Sequence, residues 1–261
     1  MMNVLRLASL NVHFFSDLKG LSNVHRLAQL LKPLSLDALA LQETLHTDFN
    51  LLSELLQLPY RALCHTTFGF GNAFLSRYPV TGHVNYYAKP IGAKNKRGML
   101  AVQIDHEFCK DNDATIYVTH LDQISEEIRL KQLDQFEQHL RKSNGLQLVM
   151  GDFNALTFED YSDQYFNMHI REVRQRNSWE SPFNLITQKM KENGYIDCWR
   201  EMNPKAINDQ VVTCVYKTRI DYIWRRGVLQ KGWTIGECRI FPTDEATDHN
   251  GVLLTLSKTS V

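Results

Sequence analysis

Eight residues of this chain combine chemically active side chains with positions at or beside short apolar segments. Asn11 closes VLRLASLN, Glu43 closes ALALQE and His120 closes TIYVTH. Asp152 and Asn154 end LQLVMGDFN, Asp221 sits in TRIDYIW, and Asp248 and His249 sit in ATDHNGV before a last apolar run. Six of the eight offer hard oxygen or amide donors and two offer imidazoles. Each has an ordinary explanation on its own. Asn and Asp after a strand are commonly turn residues, and a single histidine is more often a satisfied core residue than a catalyst. Glu43 is harder to dismiss, because a carboxylate closing an apolar strand is costly unless something pairs with it. Gly151-Asp152-Phe153-Asn154 is the most specific of the set. Strand side chains alternate with period two, so Asp152 and Asn154 are delivered to one face.

The chemistry these types suit is metal-assisted phosphoester hydrolysis. Mg²⁺ and Mn²⁺ take oxygen ligands such as Glu, Asp and Asn, and such an ion neutralises charge building on phosphoryl oxygens. A histidine held by a carboxylate can orient and deprotonate an attacking water. No H-E-x-x-H, G-x-x-x-x-G-K-[ST] or G-x-S-x-G motif is present, and Gly69-Phe70-Gly71 is only a lone glycine pair. A zinc hydrolase is a competing reading. The ten histidines allow it, but no pair shows helical ligand spacing.

These residues need a scaffold. Apolar, often β-branched runs at 4–11, 38–43, 73–77, 99–105, 115–121, 147–153, 219–224 and 252–256 read as strands. Amphipathic segments lie between them. The stretch 21–32 places Leu21, Val24, Leu27 and Leu31 on one stripe and ends at Pro33. The stretch 47–58 offers Thr47 as an N-cap and stops before Pro59. Residues 125–142 begin with Ser125 and two glutamates and end with Arg141 and Lys142, a charge order that suits the helix dipole. Ser181-Pro182 reads as an N-cap followed by a first-turn proline, with Gly194 closing that helix. The polar and aromatic stretch 158–177 reads as a helix covering one side. Short strands alternating with helices make an α/β chain, and no linker or repeat divides it, so one domain over 1–261 is expected.

The composition bounds the function. Hydrophobic residues are 43% and charged residues 22% of the 261, which is ordinary for a globular chain. Lys+Arg and Asp+Glu are both 29, and a zero balance weighs against wrapping long duplex nucleic acid by bulk charge. Five cysteines, with no C-x-x-C, speak against a disulfide framework or cysteine zinc site and favour a reducing compartment. The N-terminus reads as a strand and not a signal peptide, and no apolar run is long enough to span a membrane, so a cytoplasmic location is expected. No obligate protein partner is evident.

In order along the chain, SLNVH, LQET, GNAFLSRYPV, VTHLD, GDFN, RIDYI and TDHNGV resemble the endonuclease/exonuclease/phosphatase superfamily, with its DNase I-like fold. The resemblance covers nearly the whole chain and implies a four-layer α/β sandwich. Two packed mixed sheets are then flanked by helices, and the site lies at one edge between the sheets. It places Asn11 and Glu43 at the catalytic Mg²⁺, with Asp248 the neighbouring acid. It makes Asp152 and Asn154 the pair that positions the nucleophile and the phosphate or a metal, His249 the catalytic histidine and Asp221 its carboxylate partner. His120 matches a phosphate-contacting histidine of DNase-like, sphingomyelinase-like and deadenylase-like members. Abasic-site repair members usually carry Tyr there, which weighs against that activity. Thr247 stands where the family has serine. Arg97, in the basic stretch 89–97, is a candidate phosphate contact, with a solvated surface loop as the alternative.

The expectation is therefore a Mg²⁺-dependent phosphoester hydrolase, with Mn²⁺ as a substitute ion. Nucleic acid, a phosphorylated small molecule or lipid, and a tyrosyl-DNA adduct compete as substrates. Trp179, Trp199 and Trp224 are candidates for stacking on bases, or for packing. A non-catalytic binding module that keeps the fold is the alternative. It would be expected to have lost some of these residues, and none is lost.

Overall fold

A computed structural model describes residues 3–66, 69–89 and 96–259. Two six-stranded mixed sheets pack face to face. The first runs in the order β11 (Trp233–Phe241), β12 (Gly251–Lys258), β1 (Asn3–Asn11), β2 (Ala38–Leu45), β4 (Phe70–Ser76), β3 (Tyr60–His65). The second runs β5 (Val80–Tyr87), β6 (Gly98–Ile104), β7 (Thr115–His120), β8 (Gln147–Asp152), β10 (Asp221–Arg226), β9 (Ile196–Asp197). In each sheet one central pair is parallel, β1 with β2 and β7 with β8, and the other pairs are antiparallel.

The core forms three layers. Leu5, Leu7, Ile116, Val118, Leu148, Met150, Ile223 and Leu254 fill the space between the sheets. Helices α1 (Val24–Leu31) and α2 (His46–Leu56) cover the outer face of the first sheet through Val24, Leu27, Leu31 and Leu52. Helix α3 (Glu107–Asn112) sends Phe108 and Cys109 into the middle layer. Helices α4 (Glu126–Leu140) and α7 (Leu185–Glu192) cover the second sheet through Leu133, Phe136, Ile186 and Met190. Between them, α5 (Asp163–Tyr165) and α6 (Glu172–Arg176) are joined by a π-helical stretch, Phe166–Arg171, and α8 (Cys198–Met202) follows β9.

Ser125 caps α4, its hydroxyl accepting from the Ile128 N–H at 3.5 Å. Other boundaries differ. Leu21 lies outside α1 and is 63% exposed, because the helix starts only at Val24. Pro33 does not simply end the helix. It sits in a 3-10 turn, Lys32–Leu34, that extends it. Thr47 lies inside α2, whose N-cap is Leu45. Ser181-Pro182 precedes α7, which is capped by Asn184 without a side-chain bond. Gly194 closes α7 with φ +81, its N–H donating to Lys191 O at 2.9 Å. The stretch 158–177 is helical only in pieces: a 3-10 turn at Phe158–Asp160, then the α5–π–α6 run. β3, β5, β9 and β11 were not anticipated by the hydrophobic pattern.

Candidate active site

The apolar stripes between the sheets end in polar residues at one edge. Along β1, period two takes Leu5, Leu7, Ser9 and Asn11 to the inner face. It does the same for Ile116, Val118 and His120 in β7, and for Leu148, Met150 and Asp152 in β8. The register then lines up the functional groups. His120 pairs with Asp152 across the parallel β7–β8 ladder, and Asp152 pairs with Asp221 across the antiparallel β8–β10 ladder. His120, Asp152 and Asp221 therefore stand side by side in one row. Gly151 makes the close packing of β7 and β8 possible. It has φ +143, and a Cβ there would lie 1.9 Å from Thr119 O.

Glu43 reaches the same edge by a different route. Alternation along β2 would send it outward with Leu39 and Leu41. The β2–β4 ladder slips between Leu41 and Thr44, and Glu43 takes φ +55. This bulge re-aims the side chain into the cavity. A left-handed non-glycine residue costs about 1–3 kcal/mol. Asn154 has φ +49, and its N–H donates to Asp152 Oδ1 at 2.9 Å.

The assembled cluster is dense. His249 Nδ1 donates to Asp221 Oδ2 at 2.9 Å, which leaves Nε2 facing Asp152 Oδ2 at 3.8 Å and Asp248 Oδ1 at 3.9 Å. Asn11 Nδ2 donates to Asp152 Oδ2 at 3.1 Å, and Asn11 Oδ1 accepts from the His13 N–H at 3.0 Å. His120 Nε2 lies 3.5 Å from Asp152 Oδ2 and 3.9 Å from Glu43 Oε1. Asn154 Nδ2 lies 3.2 Å from that same nitrogen and donates to Leu121 O at 3.2 Å. Thr247 Oγ1, in the family's serine position, donates to Asn11 O at 2.9 Å and so ties the Asp248–His249 segment to β1.

Arg97 is buried, at 4% exposure, which rules out the solvated-loop reading for this residue. Its Nη1 lies 2.9 Å from His120 Nδ1, and its Nη2 bonds Gln123 Oε1. A guanidinium only donates, so His120 Nδ1 must accept and the proton of the neutral ring sits on Nε2. Arg97 thus braces His120 from behind and is absent from the lining of the main cavity. Residues 90–95 of the basic stretch lie outside the described residues.

The electrostatics follow from crowding. Burial, then the Asp221 charge, pushes the Asp152 carboxyl above its ordinary value. Burial also raises Glu43, opposed by His249. Burial, Arg97 and His249 hold His120 well below the usual imidazole value. Burial alone would lower His249 too, but the Asp221 charge and hydrogen bond, with Asp152, outweigh it and hold the ring well above that value.

Asp152, Asp221 and His249 form a buried cluster whose donor atoms lie within 4.8 Å of one another. Two of those donors are already bonded to each other. The wider set fits a hard dication on charge. The carboxylates Glu43, Asp152, Asp221 and Asp248 face one guanidinium and one imidazole able to hold a proton, which leaves negative charge in excess. Asp221 Oδ1 is also buried without a hydrogen-bond partner. Oxygen donors of this kind suit Mg²⁺ or Mn²⁺.

A cavity of about 570 Å³ opens above the cluster. Glu43, His120, Asp152, Asn154, Asp248 and His249 line it, and so do His13, Arg174, Trp179 and Tyr216, which sequence reasoning did not place there. Of the three tryptophans the sequence offers for stacking, Trp179 alone lines the cavity, and Trp199 and Trp224 do not. Both of those are buried, Trp199 against Arg200 and Arg219 and Trp224 under α4 and α7.

This chain belongs to the Endonuclease/Exonuclease/phosphatase family, whose model matches residues 8–249. Members of that family are generally hydrolases acting on phosphoesters. Among similar solved structures is an endonuclease/exonuclease/phosphatase from Beutenbergia cavernae. It is 19% identical with a TM-score of 0.72, covering 98% of this chain and 72% of that one. A truncated TDP2 from Caenorhabditis elegans is 18% identical with a TM-score of 0.65, covering 97% of each chain. The mannosyl-6-phosphatase of Bacteroides thetaiotaomicron is 13% identical with a TM-score of 0.62, covering 97% of this chain and 99% of that one. At these identities the likeness establishes the DNase I-like fold. No curated protein sequence matches the chain. No helix among the described residues is long and apolar enough to cross a membrane.

Proposed function

We propose that this chain is a Mg²⁺-dependent phosphoester hydrolase, acting as one catalytic domain, in which water attacks phosphorus with the help of a His249–Asp221 pair. The observation that carries the reading is the convergence on one cavity of Glu43, His120, Asp152 and His249, with Asp221 behind His249 in the same row. Bound Mg²⁺, held by Glu43 with Asn11 and Asp248 nearby, would neutralise charge developing on the phosphoryl oxygens. Mn²⁺ would serve in its place.

The protein groups supply the rest. Asp221 fixes the tautomer of His249 and stabilises its charged form, so that Nε2 faces the cavity ready to take a proton from water. Asp152 and Asn154 orient that water and the phosphoryl group. His120, held neutral with its proton on Nε2, donates to a phosphoryl oxygen, and Arg97 keeps the ring in place. Both nuclease and phosphatase chemistry fit this machinery. The buried, unpaired cysteines support a reducing, cytoplasmic setting.

The test is a screen of the pure protein with Mg²⁺ or Mn²⁺ against p-nitrophenyl phosphate, bis-p-nitrophenyl phosphate, single-stranded DNA, RNA, inositol phosphates, sphingomyelin and a 5′-tyrosyl oligonucleotide. Hydrolysis of at least one ester, abolished in His249→Ala, is expected. Activity that survives His249→Ala would remove the assignment.

A further inference from the structure

The cavity that holds the carboxylate cluster also has an aromatic lining. Trp179 and Tyr216 meet edge to face, with ring centroids 4.9 Å apart and planes at 87°. They are 42% and 51% exposed, although both line the cavity. Two adjacent large aromatics left open to water beside a cavity mark a binding surface, whereas scattered ones do not. The cavity's volume also falls within the roughly 300–1,000 Å³ typical of small-molecule sites.

Both rings stand on firm supports. Trp179 follows Ser178, which turns the chain with φ +55, and the Trp179 N–H donates to Arg174 O at 2.9 Å. The next residue, Glu180, accepts from the Glu126 N–H at 2.6 Å and pairs with buried Arg129, which fixes this segment to the start of α4. Tyr216 sits on a tight turn closed by the Lys217 N–H donating to Cys214 O at 3.0 Å. That turn is tied to the reacting segment itself: the Val215 N–H donates to Asp248 O at 3.0 Å, and Cys214 bridges to His249. The Tyr165 hydroxyl donates to Lys217 O at 3.2 Å from the other side. The aromatic wall is therefore held at a set offset from His249, as a specificity element needs to be.

The charged lining narrows the choice further. Arg174 is the only Lys or Arg among the described residues lining the cavity, and it already faces Glu180 at 3.8 Å. With Glu43 and Asp248 at the proposed Mg²⁺, the described lining beyond the cluster offers a polyanion Glu180 and this one paired cation, not a row of Lys or Arg.

Resting on the hydrolase reading, we propose that Trp179 and Tyr216 are its ring-binding wall, and that its substrate is a phosphoester carrying a planar aromatic group. Such a ring stacks on or meets the edge of these side chains while the phosphoryl group lies at the carboxylate–imidazole cluster.

The test separates ring binding from turnover. With Mg²⁺ present, benzylphosphonate and cyclohexylmethylphosphonate are titrated while tryptophan fluorescence is followed. They differ in the planarity of the ring and cannot be hydrolysed. Trp199, Trp224 and Trp233 are buried, so Trp179 is the exposed reporter. Benzylphosphonate is expected to bind about three- to tenfold tighter, the range of aromatic pairing beyond area burial. Trp179→Ala and Tyr216→Ala, measured by calorimetry, should each bring that ratio close to one, and Trp179→Phe should keep most of it. The kcat/KM ratio of benzyl phosphate to cyclohexylmethyl phosphate, or of their methyl diesters, should move in parallel. Equal affinity, no binding of either phosphonate, or a preference that survives both alanine variants overturns the proposal. A phosphonate preference without hydrolysis of any ester would leave the ring wall standing and sink the hydrolase reading instead.

Discussion

Removing either member of the His249–Asp221 pair should damage the rate in a way that removing both does not compound. The 2.9 Å bond is buried, with Asp221 at 1% and His249 at 7% exposure. His249→Ala deletes the proton acceptor, which typically supplies about 10²–10⁴ in rate. Asp221→Asn keeps an oxygen to accept from Nδ1 but loses the charge. A hydrogen bond to a charged group is worth about 1.5–3 kcal/mol, so a loss of about 10- to 150-fold is expected. In the double variant the residue at position 221 has no ring left to hold. Its rate should match that of His249→Ala, because residues acting as a unit are not additive. Stability should follow a different order. His249→Ala strands a buried carboxylate beside Asp152, which costs about 3–5 kcal/mol, or roughly 6–20 °C in Tm for a chain of this size. Asp221→Asn removes that stranded charge, so the double variant should melt above His249→Ala. The assay is kcat/KM with bis-p-nitrophenyl phosphate and Mg²⁺, alongside calorimetric melting. Rate losses that multiply across the two substitutions would refute the pair.

Other consequences can be measured on the same preparation. Asp221 holds the His249 imidazole above its ordinary value, and a base works only when deprotonated, so the rate should rise with pH through the His249 titration. Asp221→Asn should move that limb to lower pH, and a limb that stays put would separate the two groups. Glu43→Gln should abolish metal-dependent rate with no fall in Tm, since burial already disfavours the Glu43 charge; a large drop in Tm would make Glu43 structural. Gly151→Ala should destabilise the protein by several kcal/mol, because its Cβ would meet Thr119 O at 1.9 Å; an unchanged Tm would contradict that packing. All five cysteines are buried free thiols, so Ellman's reagent should titrate five after denaturation and few before; fewer after denaturation would reveal a disulfide.

The four strands that escaped sequence reasoning, β3, β5, β9 and β11, are the four edges of the two sheets. Edge strands are half-solvated and carry no continuous apolar run. β5 is largely exposed along its length, β9 has two residues, and β11 carries a bulge between Ile235 and Glu237. The eight strands that were legible include every one that carries Asn11, His120, Asp152 or Asp221, and their alternation delivers those residues to the inner face. Glu43 was legible as an oddity of composition, but the bulge that turns it inward has no sequence signal beyond the polar run Gln42-Glu43-Thr44. The cavity wall was least legible. His13, Trp179 and Tyr216 come from irregular turns, with positive φ at His13, Ser178 and Lys217, Arg174 from the short helix α6, and no periodicity announces them. Arg97 looked like part of a charged loop because its partners, His120 and Gln123, lie 23 and 26 positions away.

The most direct measurement of the central claim is hydrolysis in ¹⁸O-labelled water with Mg²⁺, followed by mass spectrometry of both products. Attack of water on phosphorus places the label in the phosphoryl product, and chelation with EDTA stops its appearance. Label in the alcohol, or undiminished turnover in EDTA, would contradict the account.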